Sequence, residues 1–194
     1  SASARVGFAE ANHDNPVQTT LLFDANNVDG YSYDYRQNSR LPQFSYGTAD
    51  VTNPATWQLT QIRLRPQSTI NSFQSASIDL EWKASDSFSL KFGPQWKNYV
   101  FKSTEARRSN GTTGNQECVI PASVGGAPIS SYSRLVSMRG GLGIPAGTAT
   151  TWLVPDYRAA IDALDLDNPS LYPMGIEPSL GNNNEIEEDD KGAY

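Results

Sequence analysis

Three stretches of this chain alternate apolar and polar residues with a period of two. Ala2, Ala4, Val6 and Phe8 alternate with Ser3, Arg5 and Gly7. Ala76, Ile78, Leu80 and Trp82 alternate with Ser77, Asp79, Glu81 and Lys83. After the break Ala84-Ser85-Asp86-Ser87, Phe88, Leu90, Phe92, Pro94 and Trp96 alternate with Ser89, Lys91, Gly93, Gln95 and Lys97. Successive side chains of a strand point to opposite faces, so each stretch predicts a strand with one apolar and one polar face. The short polar break joins the last two into an antiparallel hairpin over 75–101 with its tip at 84–87. Its even-numbered side chains should then form one continuous apolar face.

Each arm has roughly 9–11 residues, the span of a tilted strand crossing an outer membrane. Trp82 and Phe88 flank the turn and Trp96 closes the other end, bracketing Ile78, Leu80, Leu90 and Phe92 like two aromatic girdles. A soluble β-sandwich produces the same alternation, so the period alone does not decide between them. Pro94 removes a ladder donor in mid-strand and predicts a bulge there.

The chain therefore divides into a strand over 1–10, a long loop over 11–70, and a hairpin over 71–102 with its turn at 84–87. A second long loop over 103–187 and the start of another strand over 188–194 follow. Compact soluble domains seldom carry loops of that length, whereas outer-membrane barrels do on their extracellular side. The first loop holds strand-like pieces at Val17–Asp24, Tyr31–Arg36 and Thr60–Arg65. The second predicts a helix that starts at Pro155, gathers Tyr157, Ala160, Ile161 and Leu164 on one face, and stops at Asn168-Pro169. That stripe should pack on neighbouring loop residues.

Composition narrows the chemistry. The chain has 194 residues, of which 38 % are hydrophobic and only 19 % charged, with fifteen Gly and twelve Pro. That mixture suits strands and turns. A net charge of −6 disfavours a nucleic-acid partner, which needs a basic footprint. Cys118 and His13 are the sole residues of their types, which excludes an internal disulfide, a cysteine zinc site and any His-rich metal site. No cofactor or metal is expected.

Asp79 and Glu81 share a strand face, as a glycosidase pair would, but with Lys83, Lys91 and Lys97 they read as a solvated polar face. The acidic run Glu185 to Asp190 lacks calcium-loop spacing and reads as a solvated loop edge. Asn110-Gly111-Thr112 fits a sequon by chance, and Gly140 to Gly143 is not completed into a phosphate loop. One cluster has a functional edge. The alternating Tyr31, Tyr33 and Tyr35, with Tyr46 and Trp57, accompany Arg36, Arg40, Arg63, Arg65, Asn38 and Gln61 in the first loop, Arg63 and Arg65 sharing a strand face. Aromatic faces stack on sugar rings, while guanidinium groups clamp anionic groups or bond hydroxyls. The three tyrosines also fit plain packing within a loop hairpin.

The segment from Asp14-Asn15-Pro16 through Phe23-Asp24, followed by Tyr31-Ser32-Tyr33-Asp34-Tyr35-Arg36, resembles the barrel region of TonB-dependent outer-membrane receptors. The Leu90-Lys91-Phe92-Gly93 upstroke and the acidic lead into Lys191-Gly192-Ala193-Tyr194 resemble the branch of Caulobacter and Xanthomonas type. The resemblance implies an all-β chain, an antiparallel transmembrane β-barrel fragment of about three full strands and the start of a fourth. Such receptors are barrels of about 22 strands closed by a plug. By the resemblance this chain belongs to the outer membrane of a Gram-negative bacterium and lacks both plug and TonB box. Its partners would be outer-membrane lipid, a small-molecule or oligosaccharide ligand, and the TonB complex through parts outside this chain. Import without chemistry is the implied function, with a siderophore as the alternative cargo. A secreted carbohydrate-binding β-sandwich and a β-rich glycoside hydrolase remain the competing readings. In a sandwich the apolar band would lie under a second sheet; in a barrel nothing would cover it.

Overall fold

Backbone pairing carries the alternating stretches well beyond the residues that alternate. The computed structural model describes residues 1–109, 114–176 and 181–194. The strands run β1 (Ala2–Asn15), β2 (Thr19–Asp24), β3 (Tyr31–Asp34), β4 (Gln43–Tyr46), β5 (Gln58–Leu64) and β6 (Gln67–Ser85). Then come β7 (Phe88–Phe92), β8 (Pro94–Arg108), β9 (Ser133–Ser137), β10 (Thr151–Pro155), helix α1 (Tyr157–Leu164), β11 (Met174–Ile176) and β12 (Asn184–Ala193). The chain is all-β in class and its strand pairs are antiparallel. It divides into two compact units.

The first unit comprises residues 1–18, 64–107 and 175–194. Its sheet runs β1, β6, β8, β11, with β12 also pairing with β8 and β7 continuing the pairing with β6. Leu80 lies opposite both Ala2 and Phe92, and Trp82 opposite Leu90. Val6 faces Ala76, which faces Trp96. The even-numbered residues of the hairpin therefore share one face, as the alternation predicts. That face is open: Val6 is 88 % exposed and Trp82 62 %.

Several boundaries differ from the sequence expectation. β1 reaches Asn15 rather than residue 10, and β6 starts at Gln67 and runs for 19 residues. β8 continues to Arg108, and β12 begins at Asn184 within the expected second loop. The acidic run from Glu185 is therefore strand, with Lys102 Nζ 3.2 Å from the Glu185 carboxylate, and not a loop edge. The turn narrows to Asp86-Ser87, because the register shifts between Lys83 and Ser85. At Pro94 the strand is interrupted rather than bulged. Gly93 exchanges backbone hydrogen bonds with Tyr194 at 3.1 and 3.2 Å, and a Cβ there would lie 1.9 Å from the Ile78 carbonyl oxygen. Only glycine fits that approach, and Pro94 begins the next strand, where its missing N–H is tolerated.

Beyond Ala76 the apolar weight changes sides. The row Ala9–Phe73–Tyr99–Glu188 and the next row, Ala11–Asn71–Phe101–Ile186, lie on the face that is polar near the turn. On the opposite face the same level carries Gln74, Asn98 and Asp189, where Asn98 Nδ2 donates to Asp189 at 3.1 Å and to Glu187 at 2.9 Å.

The second unit, residues 19–63 and 108–174, draws on both expected long loops. They are not irregular. Leu21, Val51, Ile62, Val124, Tyr132, Leu153, Ala160, Leu164, Leu166 and Tyr172 are buried and form its core. Among the described residues every buried hydrophobic belongs to this unit, and the sheet unit has none. The strand pairs β2–β5, β3–β4 and β9–β10 surround that core. Arg108 sits inside it, donating to the carbonyls of Ile62 at 2.9 Å and Val119 at 2.8 Å, with its guanidinium 4.8 Å over the Tyr172 ring.

Asp156 caps α1 by accepting from the N–H groups of Arg158 and Ala159. The helix ends at Leu164, short of Asn168-Pro169, because Asp165 turns left-handed at φ 50° and Tyr172 Oη donates to the Leu164 carbonyl at 2.5 Å. Ala160 and Leu164 of the expected stripe are buried within this unit, whereas Tyr157 and Ile161 are exposed. The Asn110-Gly111-Thr112 sequon lies outside the described residues.

Candidate functional site

The hairpin of β3 and β4 gathers most of the aromatic residues singled out in the sequence. Tyr31 lies opposite Tyr46 and Tyr33 opposite Phe44, so four rings share one face of a two-stranded ribbon. Tyr31 meets Phe44 edge-on at 5.2 Å, Phe44 meets Tyr46 at 4.8 Å, and Tyr33 meets Tyr35 at 5.9 Å. These edge-to-face pairs fix the rings against one another. The three tyrosines stay 58, 61 and 51 % exposed, so their faces remain reachable.

The ribbon is anchored at its base. Gly47, at φ 60°, admits no side chain, since a Cβ would lie 1.8 Å from the Asp29 carbonyl oxygen. Thr48 N donates to that oxygen at 2.9 Å, and Asp29 N donates to Thr48 Oγ1 at 3.1 Å. Phe44 N donates to Thr148 Oγ1 at 2.9 Å, and Trp152 Nε1 donates to Tyr46 Oη at 2.9 Å.

Arg36 stands beside the tyrosines with its guanidinium on Asp34, Nη2 donating to Oδ2 at 2.6 Å. The Arg36 side chain and backbone N–H hold the Asp34 carboxyl down at about 2, from an ordinary value of 3.8. A depressed carboxyl contributes its local order fully above its ordinary value and loses it as pH falls through the lowered one. Nuclear magnetic resonance of the Asp34 side chain should thus show a midpoint near 2. In Arg36→Ala that midpoint should rise toward the ordinary carboxylate range, and an unmoved midpoint would show that the clamp has no such effect.

The remaining expected residues lie elsewhere. Trp57 follows the 3-10 turn Pro54–Thr56 and donates through Nε1 to the Val51 carbonyl at 3.4 Å, a packing role. Arg63 on β5 donates to the Gln61 side chain at 2.7 Å. Arg65 does not share a strand face with it, because β5 ends at Leu64 and Arg65 enters the link to β6, with its N–H on the Gln18 carbonyl at 2.9 Å. The structure thus joins Tyr31, Tyr33, Tyr35, Tyr46 and Arg36, and adds Phe44 and Trp152. The alternation Gln43-Phe44-Ser45-Tyr46 was the available signal for β4, though four residues carry little period. Nothing local marks Trp152.

This surface can stack on a flat ring and hydrogen-bond its substituents. The chain matches no family model, no curated protein and no solved structure.

Proposed function

We propose that this chain is a wall segment of a TonB-dependent outer-membrane transporter, with the second unit forming part of its extracellular vestibule. It binds a nutrient from outside, an oligosaccharide first among the candidates, and passes it inward without chemistry. The observation that carries the reading is the open apolar band on a sheet unit whose described residues include no buried hydrophobic one. Water does not tolerate so extended an apolar face, whereas lipid solvates it. Girdle-like placing of Trp82, Phe88 and Trp96 around Ile78, Leu80, Leu90 and Phe92 fits a membrane band. β1 and β12 stand at the sheet's edges, each paired on one side only, as strands do when cut from a closed wall. A sandwich would cover the band with a second sheet, and the described residues of this unit form no such sheet.

The test is fluorescence quenching by brominated acyl chains in reconstituted vesicles. A variant lacking Trp57 and Trp152 retains Trp82 and Trp96 and should be strongly quenched. The reciprocal variant, lacking Trp82 and Trp96, should be nearly untouched. Equal or absent quenching in both variants removes the membrane reading and favours the sandwich.

A further inference from the structure

We infer that the sheet's polar face carries a stacking site for the C–H face of a neutral pyranose ring, built on Phe73 and Tyr99. This deepens the transporter reading and rests on it, since it requires that face to line the passage. Toward the turn the rows on the same face are hydrophilic, Ser77 with Gln95 and Ser75 with Lys97, and Thr69 with Ser103 is again polar, while the adjoining row adds Phe101 and Ile186. Phe73 and Tyr99 begin this apolar patch, and Tyr99 remains 42 % exposed. Exposed rings on a hydrated face are unfavourable unless something covers them.

The geometry suits a ring-shaped occupant. Phe73 and Tyr99 lie 4.8 Å apart with their planes only 37° from parallel, which makes one tilted platform rather than an edge-to-face pair. On the β1 side the lining is Ala9, Glu10 and Ala11, and a shallow concavity of about 380 Å³ opens over the platform. That volume falls within the ordinary range of small-molecule sites. Asn71 and Glu188 stand on its rim, with amide and carboxylate groups for hydroxyls at the edge of a bound ring.

Charge selects among cargoes. Glu188 lies directly opposite Tyr99, and Asp190 follows two residues along the same face opposite Lys97. Two carboxylates against one ammonium repel an anionic metal chelate while accepting hydrogen bonds from neutral hydroxyls. The site therefore selects sugar over a carboxylate-rich siderophore.

Calorimetry on the chain reconstituted in lipid, titrated with maltohexaose, cellohexaose and xylohexaose, tests this. Phe73→Ala and Tyr99→Ala should each weaken the tightest of the three by about tenfold, or about 1.4 kcal/mol. Tyr99→Phe keeps the ring and should stay within about twofold of the parent, as should Phe8→Ala on the opposite face. The inference is overturned if the alanine variants bind normally, or if Tyr99→Phe loses as much as Tyr99→Ala. It is overturned equally if the folded chain takes up none of the three sugars, or if only Tyr31→Ala abolishes binding. Quenching of Trp82 in the same vesicles separates the two failures. Quenching without ring-dependent sugar binding sinks this inference alone, and absent quenching sinks the transporter reading first.

Discussion

In detergent-free buffer the 194-residue chain is expected to sediment as large aggregates rather than as a monomer. Two features act together. The band from Trp82 and Leu90 to Val6 presents a contiguous apolar surface, and soluble monomers seldom expose more than a few hundred Å² of that kind. The edges of β1 and β12 add rows of unpaired N–H and C=O groups, which template pairing with further copies. In lipid each unsatisfied group costs several kcal/mol, so copies reconstituted in a bilayer should pair edge to edge. Detergent should disperse the aggregates, and the chain should support no uptake by itself. Analytical ultracentrifugation with thermal unfolding decides the matter. A soluble monomer with one cooperative transition would overturn the expectation and favour the sandwich.

Replacing Arg108 with Met should collapse the core of the second unit. Arg108 is only 2 % exposed, and burial pushes its guanidinium below the ordinary arginine range, so the site tolerates its charge only because of what surrounds it. The carbonyls of Ile62 and Val119 accept from it, Tyr172 lies under it, and Glu117 is buried near it. Methionine fills similar volume but leaves the buried Ile62 carbonyl and the part-buried Val119 carbonyl without their donor, at about 1–3 kcal/mol for the buried one. A loss of about 3–5 kcal/mol is a large share of a small unit's stability. Near-ultraviolet circular dichroism reports the packing of Tyr132 and Tyr172 and should flatten, while the strand signal in the far ultraviolet persists. An unchanged near-ultraviolet spectrum would show that Arg108 is a bystander.

The hairpin was legible in the sequence because Leu80, Trp82, Leu90 and Phe92 obey a period that only a strand explains. Its full length was not, and the reason is physical. Past Gln74 and Asn98 the apolar residues move to the other face, so Phe73, Tyr99 and Phe101 run out of phase with Trp82 and Trp96. Alternation ends there although the backbone ladder does not. The small strands β2, β3 and β5 were visible near Thr19–Asp24, Tyr31–Asp34 and Gln58–Leu64, since each holds a short β-branched or aromatic run. What stayed hidden was that two distant loops share one core. Ile62 and Leu164 are both fully buried, and nothing in either local sequence names the other as a neighbour. At the candidate site, Tyr31, Tyr33, Tyr35 and Arg36 were found because they are contiguous. Trp152 was missed because only tertiary folding brings it to Tyr46.

The change of face along β6 and β8 also bears on how these strands find their partners. A strand with one apolar face throughout can slip by two residues at little cost, because every side chain returns to the same side. Here a two-residue slip of β8 would set Asn98 beside Ala76, within the apolar band where Trp96 belongs, and would part Tyr99 from Phe73. A one-residue slip would carry Lys97 onto the apolar face and Trp96 onto the other. Both the short and the long misalignment are therefore disfavoured. Long strands offer many wrong pairings, and this one rejects them through its own side chains, without depending on the turn to set the alignment.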